Sequence, residues 1–309
     1  MKKKILITEF MEEKSIILLR KYFNIIYEPQ LWQKDQELED KIHECHGIIV
    51  RNKSKINKKI LSKAINLKFV GRLGVGLDNI DTDFCAIKNI HVQPAVGMNA
   101  DSVAEYVLNC SLSLLKNIPL MHEGTKLGHW PRTTIISREI QGKTLGLLGF
   151  GFIAKKVCKI AQAFGVKIIA YDPYVSNDVE NEYKINLVEI NDIYLSSDII
   201  SVHLPLTKET KNLLNFKTFL SMKKNPIIIN SSRGTIINET DLLRAYDEKL
   251  ICGFALDVYE EEPIKKKFYN QINTSMNCIL TPHVAGVTTE SNIRVSDFIT
   301  RSAINFFIN

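Results

Sequence analysis

The sequence predicts an α/β chain of two doubly wound parallel-sheet domains, and three observations carry that expectation. Its 309 residues exceed the roughly 100–200 of one ordinary domain, so two cores are expected. Short β-branched or aliphatic runs alternate with helix-length amphipathic segments, the pattern of repeated strand-helix-strand units. A second series of such units begins near residue 144, at a glycine-rich strand-to-helix turn.

In chain order, Ile5-Leu6-Ile7 opens the first series, followed by Gly47-Ile48-Ile49-Val50 and Phe69-Val70-Gly71. After His91-Val92-Gln93-Pro94, the turn-like residues 97–101 lead into a helical pattern over 102–115, with Asp101 or Ser102 expected as its N-terminal cap. That helix is long enough to bridge two domains. Residues 124–138, which include Gly128-His129-Trp130-Pro131-Arg132, lack periodicity and are expected as an extended arm ending at the turn Gln141-Gly142-Lys143. The second series supplies six strands, at 144–149, 167–171, 198–202, 227–230, 253–257 and 278–281, enough for one doubly wound sheet. Residues 289–307 have helical spacing and are expected to fold back on the first domain. The domains would then be 1–97 plus 287–309, and 98–286.

Hydrophobic residues at 45% and charged residues at 24% are ordinary for a globular protein. Lys and Arg exceed Asp and Glu by 40 to 34, partly in runs at 2–4 and 265–267, which are expected as solvated surface. A mildly basic balance favours small anionic substrates, but no arginine stripe, zinc-finger spacing or aromatic-interleaved basic segment points to nucleic acid. Neither a signal-peptide pattern nor an 18-residue apolar window is present, so no membrane partner and a cytoplasmic location are expected. The six cysteines, at 45, 85, 110, 158, 252 and 278, form no CxxC pair and are expected as reduced thiols. His43-Glu44-Cys45-His46 holds metal-type residues on a helical pattern without a second ligand cluster, so a structural role is expected there and no metal site.

The most specific local motif is Gly149-Phe150-Gly151-Phe152-Ile153-Ala154, a GxGxxA turn between strand 144–149 and a helix. Gly149 permits the tight turn, Gly151 lets a diphosphate approach the backbone, and Ala154 allows close helix packing, while the helix N-terminus offers N–H groups to the phosphates. Gly74-Val75-Gly76 begins a similar pattern but lacks the small residue at 79. Only the Gly149 motif is followed by an acid at a strand end, Asp172, at an offset of 172 − 149 = 23 residues. That carboxylate suits the adenosine ribose hydroxyls and repels a 2′-phosphate, and with no arginine at 173–175 the cofactor expected is NAD.

Polar groups gather where the later strands end: His203, Ser231-Ser232-Arg233-Gly234, Asp257 and Thr281-Pro282-His283. In open α/β sheets ligands sit beyond these carboxyl ends, so one shared site is expected. Hydride transfer between a 2-hydroxy acid and its 2-oxo acid needs an anchor for the carboxylate and a group to move the hydroxyl proton. Arg233 suits the first with its planar, permanently charged fork. A histidine suits the second, and a nearby carboxylate would stabilise the imidazolium. The spacing leaves His203 and His283 equivalent, and likewise Glu260, Glu261 and Glu262.

The ordered set Gly149–Ala154, His203-Leu204-Pro205-Leu206-Thr207, Asn230-Ser231-Ser232-Arg233-Gly234, Ala255-Leu256-Asp257-Val258-Tyr259-Glu260-Glu261-Glu262-Pro263 and Thr281-Pro282-His283 resembles the D-isomer-specific 2-hydroxyacid dehydrogenase family over nearly the whole chain. The resemblance implies a flavodoxin-like substrate domain and a Rossmann NAD-binding domain. It implies Arg233 as the substrate-binding arginine, His283 as the acid/base and Glu262 as its supporting carboxylate. It further implies cofactor contacts at Phe152, Ile153, His203, Pro205, Ser231, Ser232 and Gly286, with Asp257 near the nicotinamide carboxamide. Residues 70–79, Asn99, 102–105 and 128–130 are most similar to the family's phosphoglycerate dehydrogenases. By that likeness the N–H groups at Val75 and Gly76 receive the substrate carboxylate, and Arg51, Asn99 and a partner subunit's Arg132 are candidates for the phosphate-bearing end.

The implied reaction is oxidation of 3-phosphoglycerate by NAD, the first step of serine synthesis. Reduction of glyoxylate or hydroxypyruvate, and oxidation of sulfolactate, are the close alternatives. Some relatives act as corepressors, so an NAD-sensing binding protein is the competing class, against which the complete Arg233, Glu262 and His283 set argues. A homodimer clasped through residues 102–138 is also implied. Two departures stand out: Phe152 where the family often has a basic residue, and Val75 where it often has a small polar one. The sequence ends on the 289–307 helix, so feedback through an appended regulatory domain is not expected.

Overall fold

The computed structural model describes residues 2–264, 268, 270–272 and 276–308, so the lysine run 265–267 lies outside the described residues. The chain divides into two compact units, Met1–Asn99 with Val287–Asn309, and Ala100–Gly286. Both are α/β units built on an open parallel sheet, as the sequence predicts.

The first unit holds five strands, β1 Lys4–Ile7, β2 Asn24–Tyr27, β3 Gly47–Val50, β4 Phe69–Arg72 and β5 His91–Pro94. They lie in the order β2-β1-β3-β4-β5, every pair parallel. Side chains alternate between faces along a strand. Leu6, Ile48, Val50 and Val70 therefore meet Leu38, Ile42, Ile60 and Leu61 of two helices on one face. Ile5, Ile7, Ile49 and Phe69 meet Ile16, Leu19, Val295 and Ile299 on the other. The C-terminal helix Thr289–Ile308 comes so close to β4 that a Cβ on Gly71 would stand 2.7 Å from Ile299 Cγ2. Strand β2 escaped the sequence reading because it is a four-residue edge strand only partly covered, without a clean hydrophobic alternation.

Among the described residues the second unit holds seven strands: β6 Thr144–Leu148, β7 Lys167–Tyr171, β8 Asn186–Leu187, β9 Ile199–Val202, β10 Ile227–Asn230, β11 Gly253–Leu256 and β12 Cys278–Leu280. Their order is β12-β11-β10-β9-β6-β7-β8. Six strands were expected; the seventh, β8, is two residues long, too short to leave a periodic signal. Helices Ala100–Leu115 and Phe152–Gln162 supply Val103, Val107, Ala154 and Val157 to the core on one face. The opposite face packs against Ile193, Phe219, Leu242 and Leu243 from three shorter helices.

Two local expectations are corrected. The long helix begins at Ala100, so Asp101 and Ser102 lie inside its first turn and neither is the cap. The turn before it, with Gly97 at φ 79°, delivers the chain directly into helix. Asp101 instead pairs with Lys156 at 2.8 Å. The arm expected from residue 124 starts later, because Ile118–Lys126 is a helix. None of that helix is buried, which is why no apolar period marked it. Among the described residues no helix is long and apolar enough to cross a membrane.

Candidate active site

Arg233, Glu262 and His283 follow β10, β11 and β12, three adjacent parallel strands, so the sheet carries all three to the same edge. The turn after β10 is knitted by buried Asn230. Its Nδ2 donates to Arg233 O at 2.9 Å, and its Oδ1 accepts from Ser232 N and Oγ at 3.0 and 2.8 Å. Gly234 then passes so close to the next loop that a Cβ would overlap the Tyr259 carbonyl, 1.9 Å away. Only glycine allows the Arg233 turn and the 259–262 turn to lie this near each other.

Within the second turn, Glu262 Oε1 accepts from Tyr259 N at 3.2 Å, and Oε2 meets His283 Nδ1 at 2.7 Å. An ionised carboxylate can only accept, so Nδ1 carries the hydrogen and Nε2 keeps its lone pair for chemistry. Burial by itself would raise the Glu262 carboxyl. The hydrogen bond and charge of His283, aided by the Tyr259 N–H and the Arg233 charge, outweigh it and hold the group below its ordinary range. The pair is accessible, with His283 41% and Glu262 37% exposed. His203 is different: its Nε2 contacts Ser201 Oγ at 2.9 Å, and burial pushes it down to about 4. His283 is thus the histidine that meets Glu262, whereas His203 bonds to Ser201.

At the ends of β6 and β7 the groups are mostly backbone. Gly149 has φ +91°, and a Cβ on it would stand 2.7 Å from His203 O, so the turn requires glycine. Above Gly151, by contrast, a Cβ would meet nothing within 4 Å, and no side chain caps the helix Phe152–Gln162 that starts there. Asp172 accepts from Phe150 N at 2.8 Å and from Tyr174 N at 2.9 Å, which fixes its carboxylate beside the glycine turn. Open space at an uncapped helix N-terminus, a fixed acid and the buried, unpartnered Ser231 Oγ fit a dinucleotide. Phe152 is the first residue of that helix and is exposed, and Ile153 is half-buried behind it. Pro205 is exposed beyond β9, and Gly286 ends the unit.

Asp257, at the end of β11, is buried. It is 1% exposed, and its carboxylate accepts from Thr281 Oγ1 at 2.6 Å and from the N–H groups of Val284 and Ala285, each at 2.8 Å. Its visible work is to hold the loop that carries His283. Thr281, Tyr259 and Asn230 have comparable supporting parts, and sequence reasoning passed over the first two as supports because their partners are distant in the chain.

In the first unit, Arg51 follows β3. The buried Glu9 carboxylate gathers the N–H groups of Arg51, Lys53 and Ser54 at 2.8, 3.1 and 2.9 Å, shaping that turn. The Arg51 guanidinium donates to Asn292 Oδ1 at 2.6 Å and lies over Phe10. Val75 and Gly76 follow β4 in a turn over which the Arg72 guanidinium folds, filling the space a Cβ on Gly74 would take. Asn99 ends this unit with a buried, unpartnered Oδ1. Glu9 and Arg72 are absent from the sequence-based site, since a lone acid or arginine at a strand end gives no local signal.

Residues 108–285 match the NAD binding domain of the D-isomer specific 2-hydroxyacid dehydrogenase family. The chain belongs to that family. It is 36% identical to an (S)-sulfolactate dehydrogenase of Chromohalobacter salexigens over 94% of both chains. It is 38% identical to a D-3-phosphoglycerate dehydrogenase of Methanocaldococcus jannaschii over 93% of this chain and 54% of that one. The chain spans about half the length of that enzyme and of the D-3-phosphoglycerate dehydrogenases of Archaeoglobus fulgidus, Bacillus subtilis and Synechocystis. The NAD-bound 3-phosphoglycerate dehydrogenase of Entamoeba histolytica superposes with a TM-score of 0.81 at 27% identity, over all of this chain and 96% of that one.

Proposed function

We propose that the chain oxidises a small D-2-hydroxy acid carrying a second anionic group, with 3-phosphoglycerate as substrate and NAD as acceptor. The observation that carries this reading is the His283–Glu262 pair at 2.7 Å, in the turns after β12 and β11, beside β10 whose end carries Arg233. NAD, when bound, takes up the hydrogen and two electrons leaving C2 of the substrate. His283 Nε2 accepts the hydroxyl proton, Glu262 stabilises the resulting imidazolium through Nδ1–H, and Arg233 holds the substrate carboxylate and the C2 oxygen. Gly149, Gly151, Phe152, Ile153 and Asp172 would hold the adenosine and diphosphate half, with His203, Pro205, Ser231, Ser232 and Gly286 along the rest.

In the first unit, Val75 and Gly76 offer N–H groups for a carboxylate. Arg51 and Asn99 are the proposed contacts for the distal group. Arg51, Lys53 and Arg72 concentrate positive charge around the β3 and β4 ends, which supports an anionic group there.

A second reading, sulfolactate, draws on one observation: similarity to the sulfolactate dehydrogenase runs over 94% of both chains. Steady-state kinetics with NAD on 3-phosphoglycerate, sulfolactate, glycerate and lactate separates the two. A higher kcat/KM for 3-phosphoglycerate is expected; preference for sulfolactate would replace the substrate, and turnover of none would remove the enzymatic reading in favour of a binding protein.

We also propose a homodimer built through the second unit. Trp130 at 78% and Ile136 at 83% exposure, with exposed Ile118 and Leu127 earlier in the same segment, leave more apolar surface than a lone short arm needs. Light scattering should give twice the chain mass, and Trp130→Asp should halve it.

A further inference from the structure

The loop that carries His283 is anchored from an unexpected direction. His283 has φ 58°, a left-handed backbone that residues with a side chain seldom adopt, so its surroundings must hold it there. Asp257 does part of this by accepting from Thr281 Oγ1, Val284 N and Ala285 N. Thr281 Oγ1 also lies 2.8 Å from the hydroxyl of Tyr106, on the long helix Ala100–Leu115. The direction of this chain is forced. The Asp257 carboxylate only accepts, so the threonine proton goes to it, and the threonine oxygen must take its second hydrogen from Tyr106. Burial holds the Tyr106 phenol far above its ordinary range, keeping it a donor throughout the working pH range, with Cys110 as the other titratable group facing it and Asp257 beyond. On the opposite side, the buried hydroxyl of Tyr259 donates to Thr281 O at 3.0 Å.

We propose that Tyr106 and Thr281 are positioning residues for His283: the chain from the Tyr106 hydroxyl through Thr281 Oγ1 to Asp257 fixes the left-handed turn and so holds the imidazole against Glu262. The inference rests on the reading of His283 as the acid/base. It assigns the tyrosine a part in proton transfer that is exerted through Thr281 and the His283 loop. It also gives Asp257 its effect through the loop, by the three bonds that fill its buried carboxylate.

The test is a carbon-13 NMR titration of the Glu262 carboxyl, with kinetics alongside, in Thr281→Val, Thr281→Ser and Tyr106→Phe. Loosening the imidazole removes the partner that keeps Glu262 low. Thr281→Val is therefore expected to move the Glu262 midpoint upward by roughly half a unit or more. It should also lower kcat by roughly 10- to 100-fold, with the KM for NAD unchanged. Tyr106→Phe should move both in the same direction by less, and Thr281→Ser, which keeps the hydroxyl, should restore both. If Thr281→Val does not fold, Tyr106→Phe decides, since it leaves the threonine bond to Asp257 in place. An unmoved Glu262 midpoint and unchanged kcat in Tyr106→Phe and Thr281→Val, with only thermal stability lowered, would overturn the inference. Failure of the underlying reading looks different: His283→Ala would then turn over substrate as the parent does.

Discussion

One sheet carries two kinds of site. At the ends of β6 and β7 the proposed binding surface is mainly backbone, shaped by Gly149 and Gly151 and by Asp172, which two neighbouring N–H groups hold in place. At the ends of β10, β11 and β12 the proposed working groups are side chains, Arg233, Glu262 and His283, from separate turns supported by Asn230, Gly234 and Asp257. A diphosphate is recognised by N–H groups that any sequence can offer, provided no Cβ intrudes. Proton transfer needs particular functional groups at fixed distances. The first site is expected to be sensitive to volume added at Gly149 and to the charge of Asp172, and the second to the identity of each of its three side chains.

That contrast can be broken by experiment. The largest effect is expected for His283→Ala, which should lower kcat by about 10²–10⁴-fold while NADH binding, followed by fluorescence, stays intact. Equal loss of both would show that the two ends of the sheet are not separable. Arg233→Lys keeps the charge but not the fork, and should cost roughly 100-fold in kcat/KM for the acid substrate; a KM for NAD that rose as much would place Arg233 on the cofactor side.

Gly149→Ala sets a Cβ against His203 O at a φ of +91°. It should lower stability by about 1–3 kcal/mol in urea unfolding and weaken NAD binding, whereas an unaffected variant would mean the turn can adapt. Asp172→Asn turns one accepting oxygen into an NH2 group facing a backbone N–H, and should raise the KM for NAD by about tenfold while narrowing the preference over NADP. Kinetics with both cofactors reads this directly.

The smallest effect concerns pH. His203 is held down to about 4 from an ordinary 6.5, so the folded chain binds fewer protons than the unfolded chain between those values. Its contribution to stability is complete above pH 6.5 and is lost as pH falls toward 4. Urea midpoints between pH 7 and 4 should decline less steeply in His203→Gln, and an identical decline would assign the acid sensitivity elsewhere.

Some of this was open to a reader of the sequence alone. Strands β10 and β11 carry the apolar runs Ile227-Ile228-Ile229 and Phe254-Ala255-Leu256 because both faces of a parallel sheet are covered, and the glycine turn with Asp172 lies within 23 consecutive steps of chain. Local pattern and local geometry coincide there. Elements with little burial, β8 and the helix Ile118–Lys126, left no such trace, since hydrophobic period is a record of packing. The pairing of Glu262 with His283 rather than with His203 joins turns 21 residues apart and left no local signal.

The sequence by itself determined the α/β alternation, the place of the dinucleotide turn and the candidate groups at the strand ends, because each depends on residues close together in the chain. The tertiary structure alone decided which of those groups touch. Sheet order brought β10, β11 and β12 side by side, Gly234 let two turns approach, and buried Asp257 turned the His283 loop toward Glu262. Contacts across 21 residues or more of chain are set by packing and hydrogen bonding of the whole unit, and no local pattern encodes them.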